Sequence, residues 1–279
     1  TASSGVAVGY QALYSNTTGA YNNAVGESTL RANTTGSYNT GVGHNALTSN
    51  TTGQANAAFG QQALASNTTA SNNTAVGFQA GYNTTADRNT VVGYQAGYSN
   101  TTGTENSFFG AQAGYSTTTG TTRMTAIGYQ AMYSNQTGTQ NNAFGYQALY
   151  ANTTGANNDA FGTFAMYSGT SGNNNVAVGK YALAGNASPG TESTAIGHYA
   201  LYANTSSTNT AVGAYAGLNT TSGTLNTMLG GQSMYTNITG ERNVAVGFNA
   251  MYTFNTTGQT DNVAVGLNSG YSLKTGTAN

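Results

Sequence analysis

The chain has 279 residues, of which only 5% are charged, and its net charge is −1; an ordinary globular protein carries roughly 25% charged residues. That balance removes the electrostatic case for nucleic acid as a partner, and no apolar run approaches the ~18 residues of a membrane span. The sequence has no Cys, so it has no disulfide framework and no thiolate metal site, while 20 Tyr and 9 Phe argue against disorder.

The first element is Val6-Ala-Val-Gly9, and its counterparts follow in order along the whole chain. Their glycines are Gly9, Gly26, Gly43, Gly60, Gly77, Gly93, Gly110, Gly128, Gly145, Gly162, Gly179, Gly197, Gly213, Gly230, Gly247 and Gly266. These sixteen anchors are spaced 16 to 19 residues apart, most often 17. Self-similarity at a fixed period of this size is the signature of a stacked-coil architecture.

Positions are numbered here from the anchor glycine. Position −1 is always apolar, as in Val8, Phe59 and Ile127, and position −2 is mostly Ala. Position −4 is Asn in thirteen repeats, +3 is Ala in thirteen, and +5 is Tyr in eleven. Position +4 is Leu, Met or Gly. Position +1 accepts Tyr10, Glu27, His44 and Lys180, so it faces water. Between −4 and +5 the spacing never changes, and every insertion or deletion falls in the connector that follows, the segment holding Asn-Thr-Thr-Gly.

A Gly in the middle of every unit would weaken a helix by about 1 kcal/mol each time. The expected fold is therefore all-β: a parallel β-solenoid or β-roll of sixteen coils of about 17 residues. It forms one continuous array over residues 1–279, each coil made of two short strands bent at the anchor, the ladder glycine. Stacked ~4.8 Å apart, the coils would form a rod of about 75–80 Å. The Asn at −4 would form a column of side-chain amides. Arg88, Glu105 and Arg123 share position −5 in consecutive repeats, as do Arg242 and Asp261, so opposite charges fall on adjacent coils. Both "TASSGVAVG" and "GYSLKTGTAN" lie within the pattern, so the chain reads as an excerpt of a longer fibre protein.

The connectors carry N-x-Ser/Thr sequons at Asn16, Asn33, Asn50, Asn67, Asn83, Asn100, Asn135, Asn152, Asn186, Asn204, Asn219, Asn237 and Asn255, with Asn72 outside the connector. Two readings stay open. In one, Asn opens a turn and Gly closes it. In the other, the connectors carry N-linked glycans on Asn or O-linked glycans on Thr, coating a surface that lacks charge. Pro189 follows the sequon of Asn186 and makes it the weakest of these sites.

Catalytic, cofactor and metal constellations are not expected. His44 and His198 both sit at +1, far apart in sequence. Asp87 and Glu105 are a possible carboxylate pair on adjacent coils, with Arg88 and Arg123 as simpler partners for Glu105.

The phrases at Val176–Gly179, Val244–Gly247 and Val263–Gly266 resemble those of trimeric autotransporter adhesin head repeats. Ala182 and Ala250 match the small residue at +3, and Gly19, Gly155 and Gly258 match the glycine that ends the coil. Tail-fibre proteins of phages and bacteria carry similar repeats. The resemblance implies a left-handed, trimeric parallel β-roll with the −3 and −1 side chains buried; a lone solenoid is the alternative. The expected function is a non-enzymatic structural repeat protein, the shaft of an extracellular fibre at a cell or virion surface. It would associate with itself as a homotrimer or end to end. The alternative is an adhesin or tail-fibre segment that binds a cell-surface receptor or glycan.

Overall fold

The computed structural model describes residues 5–118, 120, 122–185, 190–254 and 261–272. It is a parallel β-solenoid with one three-residue strand per coil, and there is no helix among the described residues. The chain divides into two compact units, Thr1–Gln140 and Asn141–Asn279. The first unit holds β1 (Val6–Val8), β2 (Asn23–Val25), β3 (Thr40–Val42), β4 (Ala57–Phe59), β5 (Thr74–Val76), β6 (Thr90–Val92), β7 (Ser107–Phe109) and β8 (Thr125–Ile127). The second holds β9 (Asn142–Phe144), β10 (Asp159–Phe161), β11 (Val176–Val178), β12 (Thr194–Ile196), β13 (Thr210–Val212), β14 (Thr227–Leu229), β15 (Val244–Val246) and β16 (Val263–Val265).

Within each unit every strand pairs in parallel with the next in sequence. The register keeps equivalent positions together: Ala7 lies beside Ala24, and Ala160 beside Ala177. Bonding between coils is not confined to the strands. Gly26 N–H donates to Val8 O (2.7 Å), Leu30 N–H to Ala46 O (3.0 Å) and Thr34 N–H to Thr51 O (2.9 Å). The last of these lies in the connector, so the connector is a hydrogen-bonded side of the coil and not an elastic turn outside it.

The second strand expected in each coil does not form. Positions +2 and +4 adopt left-handed backbone, as in Gln147 (φ 52°) and Leu149 (φ 52°), and this turns the chain through a corner instead of extending it. Position −5 makes another such corner, as in Glu105 (φ 61°). Left-handed backbone is least tolerable for β-branched side chains. Accordingly, Thr208 is the one β-branched residue with positive φ among the described residues. Position +4 must be large, apolar and unbranched at Cβ, or else Gly, which accounts for its Leu, Met and Gly. The anchor glycine is required for a different reason: at Gly145 (φ +142°) a Cβ would stand 2.5 Å from the carbonyl oxygen of Gly162 on the next coil.

The core is narrow. It consists of −2, +3 and +4, as in Ala143, Ala148 and Leu149, together with the inward Asn residues. Volume is conserved between positions. Where +4 shrinks to Gly, a −2 residue grows: a Cβ at Gly97 would lie 2.8 Å from Val91 and 3.2 Å from Phe108, and one at Gly217 would lie 2.6 Å from Met228 Sδ. Such exchange is what a close-packed interior demands.

The corner at +4 yields a direct test. Leu149→Ile keeps the volume but places a branched Cβ in left-handed backbone, and it should destabilise the protein by about 2 kcal/mol or more. Leu149→Met should lose under ~1.5 kcal/mol. Urea unfolding of both variants checks this, and equal losses would remove the backbone explanation.

Candidate functional site

A primary carboxamide donates and accepts at once, so a column of them can bond both upward and downward. Position −4 uses this along both units. Asn39 N–H and Nδ2 both donate to Asn22 Oδ1 (2.9 and 3.2 Å), and Asn39 Nδ2 also donates to Gly53 O (2.8 Å). Asn56 repeats the arrangement with Asn39 and Ala70. In the second unit Asn226 repeats it with Asn209 and Gly240.

The sequon Asn forms a second column. Asn33 Nδ2 donates to Asn16 Oδ1 (2.8 Å) and Gly36 O (2.9 Å). Asn50 Nδ2 donates to Asn33 Oδ1 (2.8 Å) and Gly53 O (3.0 Å). Both columns converge on the same carbonyl, because Gly36 O also accepts from Asn22 Nδ2 (2.7 Å). Asn33, Asn50, Asn67, Asn100, Asn135, Asn152, Asn204 and Asn237 are all at most 1% exposed. The nitrogen that would carry an N-glycan is thus enclosed and already engaged, and the folded coil has no room for a sugar at these eight positions. Asn16, Asn83 and Asn219 are half-buried and Asn72 is exposed. Asn186, Pro189, Asn255 and Gly258 lie outside the described residues. At Asn83 and Asn219 the motif falls one residue earlier, and Thr84 and Thr220 take the inward place.

The two threonines of the motif differ. The hydroxyls of Thr17, Thr34 and Thr51 donate to the next coil's carbonyl at 2.9, 3.1 and 3.0 Å. The second threonines, Thr18, Thr35, Thr52, Thr69, Thr102, Thr137 and Thr154, are exposed. They leave an O-linkable hydroxyl on the connector that the Asn columns do not use.

The strands have an outward face. Because −2 points inward, −3 and −1 point out. Phe59 is 42% exposed, Ile127 39%, Phe161 40% and Ile196 39%. The burial of −3 and −1 implied by the adhesin resemblance does not occur within one chain, since a three-residue strand can turn only its middle side chain inward. Asp159 is the one charged residue at −3 or −1 in the sixteen strands.

Position +2 differs between the units, a feature the sequence pattern left unread. In the first, Gln62, Gln79, Gln95, Gln112 and Gln130 form a Gln column after Ser28 and Asn45, with Gln79 Nε2 donating to Gln62 Oε1 (2.9 Å) and Gln95 Nε2 to Gln79 Oε1 (2.8 Å). In the second, four consecutive repeats carry Phe164, Tyr181, Tyr199 and Tyr215 there, stacked with centroids 4.9, 4.8 and 5.8 Å apart, between Gln147 and Gln232. Lys180 Nζ stands 5.4 Å from the Tyr181 ring, and His198 meets Tyr199 edge-on at 4.5 Å. Burial first, and neighbouring tyrosines second, push the Tyr199 phenol above its ordinary value. The signal available in the sequence was the run of four aromatics at one position.

The carboxylates have structural partners. Glu105 bridges Arg88 (3.1 Å) and Arg123 (3.2 Å), and Arg242 pairs with Asp261 (2.6 Å). Asp87 Oδ1 accepts from Ser71 N–H at 2.7 Å. His44 is exposed, with Nε2 3.1 Å from Asn45 Nδ2. Among the described residues, His, Asp and Glu form no group of three able to hold a metal ion. Comparison with protein-family models, curated proteins and solved structures finds no match to this chain.

Two outcomes follow from the buried columns. In chain made by an N-glycosylating host and purified folded, peptides holding Asn33, Asn50 and Asn67 should be unmodified; mass-spectrometric occupancy there would contradict the burial. Asn50→Asp replaces a donor by an acceptor facing Asn33 Oδ1 and Gly53 O, and should destabilise by about 3 kcal/mol or more at neutral pH. Burial raises the folded pKa of the introduced carboxyl above the unfolded value of ~3.9, so its neutral form is the tolerated one. The deficit against wild type should therefore grow as pH rises from about 4 to 7, read by urea unfolding at each pH.

Proposed function

We propose that this protein is a non-enzymatic structural protein, the shaft of an extracellular fibre or filament at a cell or virion surface. Copies of the chain associate through the outward strand faces. The observation that carries this reading is the apolar −1 column, repeated on every coil and free of charge. An apolar face of this kind gains about 25 cal/mol for each Å² removed from water, and large contiguous apolar patches on soluble proteins mark interaction surfaces. A second copy is the fitting occupant because its own face has the same period, so each coil meets a coil. Three chains together is the favoured arrangement, on the resemblance to adhesin head repeats, and end-to-end growth is the alternative. The exposed second threonines are the place for an O-linked coat.

A second reading, an adhesin or tail-fibre segment that binds a cell-surface receptor or glycan, has one observation in its favour. The aromatic column of Phe164, Tyr181, Tyr199 and Tyr215, with Lys180 and His198 beside it, replaces a Gln column that serves the coil equally well in the first unit. Saturable binding on a glycan array that disappears with Tyr199→Ala would favour it.

Sedimentation velocity over a concentration series tests the first reading. Wild type should associate in the micromolar range, and Val76→Lys with Phe109→Lys should weaken association roughly 100-fold or more while leaving unfolding unchanged. A monomer that persists to high micromolar concentration would sink it.

A further inference from the structure

The +5 tyrosines stand directly above one another. In the first unit Tyr82, Tyr98, Tyr115 and Tyr133 form one column, with successive centroids 5.3, 5.2 and 5.1 Å apart and planes within 10°. In the second unit Tyr150 and Tyr167 stack at 5.2 Å, and Tyr235, Tyr252 and Tyr271 at 5.0 and 5.1 Å. Each ring covers its neighbour's face. Sugar rings that would stack on those faces are therefore displaced, and ring edges and hydroxyls are what reach the surface. The rings are mostly half-buried. Burial, followed by the neighbouring Tyr235 and Tyr271, raises the Tyr252 phenol above its ordinary value, consistent with hydroxyls gathered along one line.

The coil itself does not need tyrosine here. Arg31, Thr48, Ala65, Ala184 and Leu218 occupy the same position. What tyrosine adds over these is phenol chemistry, and the stacking sets its geometry: near-parallel rings on equivalent residues, with centroids 5.1 to 5.3 Å apart in the first unit, make each phenol the neighbour of the next.

We infer that the +5 columns are sites of oxidative tyrosine–tyrosine coupling that joins successive coils covalently. The oxidant is a haem peroxidase with hydrogen peroxide. It removes one electron and one proton from each of two phenols. The two radicals combine to form a carbon–carbon bond between ortho carbons, and the hydrogen on each of those carbons shifts to its oxygen, restoring both phenols. In sum the two tyrosines lose two hydrogens, and one hydrogen peroxide is reduced to two waters. Tyr98 and Tyr115, with a column neighbour on each side, are the central partners in the first unit. The inference stands apart from self-association, because both rings belong to one chain.

The test treats dilute full-length protein with peroxidase and limiting peroxide, then maps cross-linked peptides after digestion. Dityrosine fluorescence should rise while the chain keeps monomer mobility on a denaturing gel. The linked peptides should pair Tyr82 with Tyr98, Tyr98 with Tyr115 and Tyr235 with Tyr252. Tyr14, 70% exposed and followed by Arg31 at the same position of the next repeat, serves as the exposed control and should stay unlinked within the chain. Tyr98→Phe combined with Tyr133→Phe keeps the ring stack and should abolish every pair within the first-unit +5 column while the Tyr235–Tyr252 peptide persists; the stacked Tyr21 and Tyr38, which lie outside that column, are not affected by it. Pairing that favours Tyr10 or Tyr14, links found only between chains, or first-unit column pairs that survive the double variant would overturn the inference. So would the failure of dityrosine to form in folded protein.

Discussion

The structure depends on one interaction, the buried carboxamide column at the connector corner. A corner turns backbone carbonyls into the interior, where an unpaired polar group loses free energy comparable to a hydrogen bond. In the coils that carry both, the −4 Asn and the +7 Asn meet that demand together. The −4 amide accepts the next coil's backbone N–H and donates to its corner carbonyl, and the +7 amide donates to its own corner and to the coil before. Each bond needs a partner at the same place one coil away, so the columns enforce the period as well as use it.

Departures from the pattern show what the period is for. The repeat from Gly77 to Gly93 is one residue short, and there Asn73 Nδ2 and Thr84 Oγ1 are buried with no hydrogen-bond partner. Where Met124 replaces the −4 Asn, Asn135 Nδ2 turns to its sulfur at 3.0 Å. In the apolar half of the core, Gly41 makes room for Thr29, whose Cγ2 would lie 2.6 Å from a Cβ at residue 41. Polar satisfaction and volume are balanced coil by coil, as expected of an architecture in which each repeat touches only its neighbours.

Much of this was legible in the sequence. The anchors, the all-β class, the −4 column and the stacking of Arg88, Glu105 and Arg123 follow from spacing alone. Three features did not. A strand of three residues has no measurable alternation, so nothing in Val-Ala-Val says that Ala is the inward residue. The second strand was expected because left-handed backbone at non-glycine residues has no single-residue signature; the trace it leaves is the lack of Val and Ile at +4, visible only across many coils. The sequon Asn was read through its modification chemistry, whereas its column depends on a neighbour 17 residues away. Variable connector length also disguised how regular the hydrogen bonding of that segment is.

Native-state hydrogen exchange at the −4 amides tests the primacy of the columns most directly. The N–H groups of Asn39, Asn56 and Asn226 each donate to a buried Asn oxygen one coil earlier. If the columns hold the coils together, these amides exchange only through global unfolding, at a free energy that matches denaturant unfolding. Exchange through local opening at a much lower free energy, with the strand amides still protected, would show that the strands hold the coils and that the carboxamides only fill the corner.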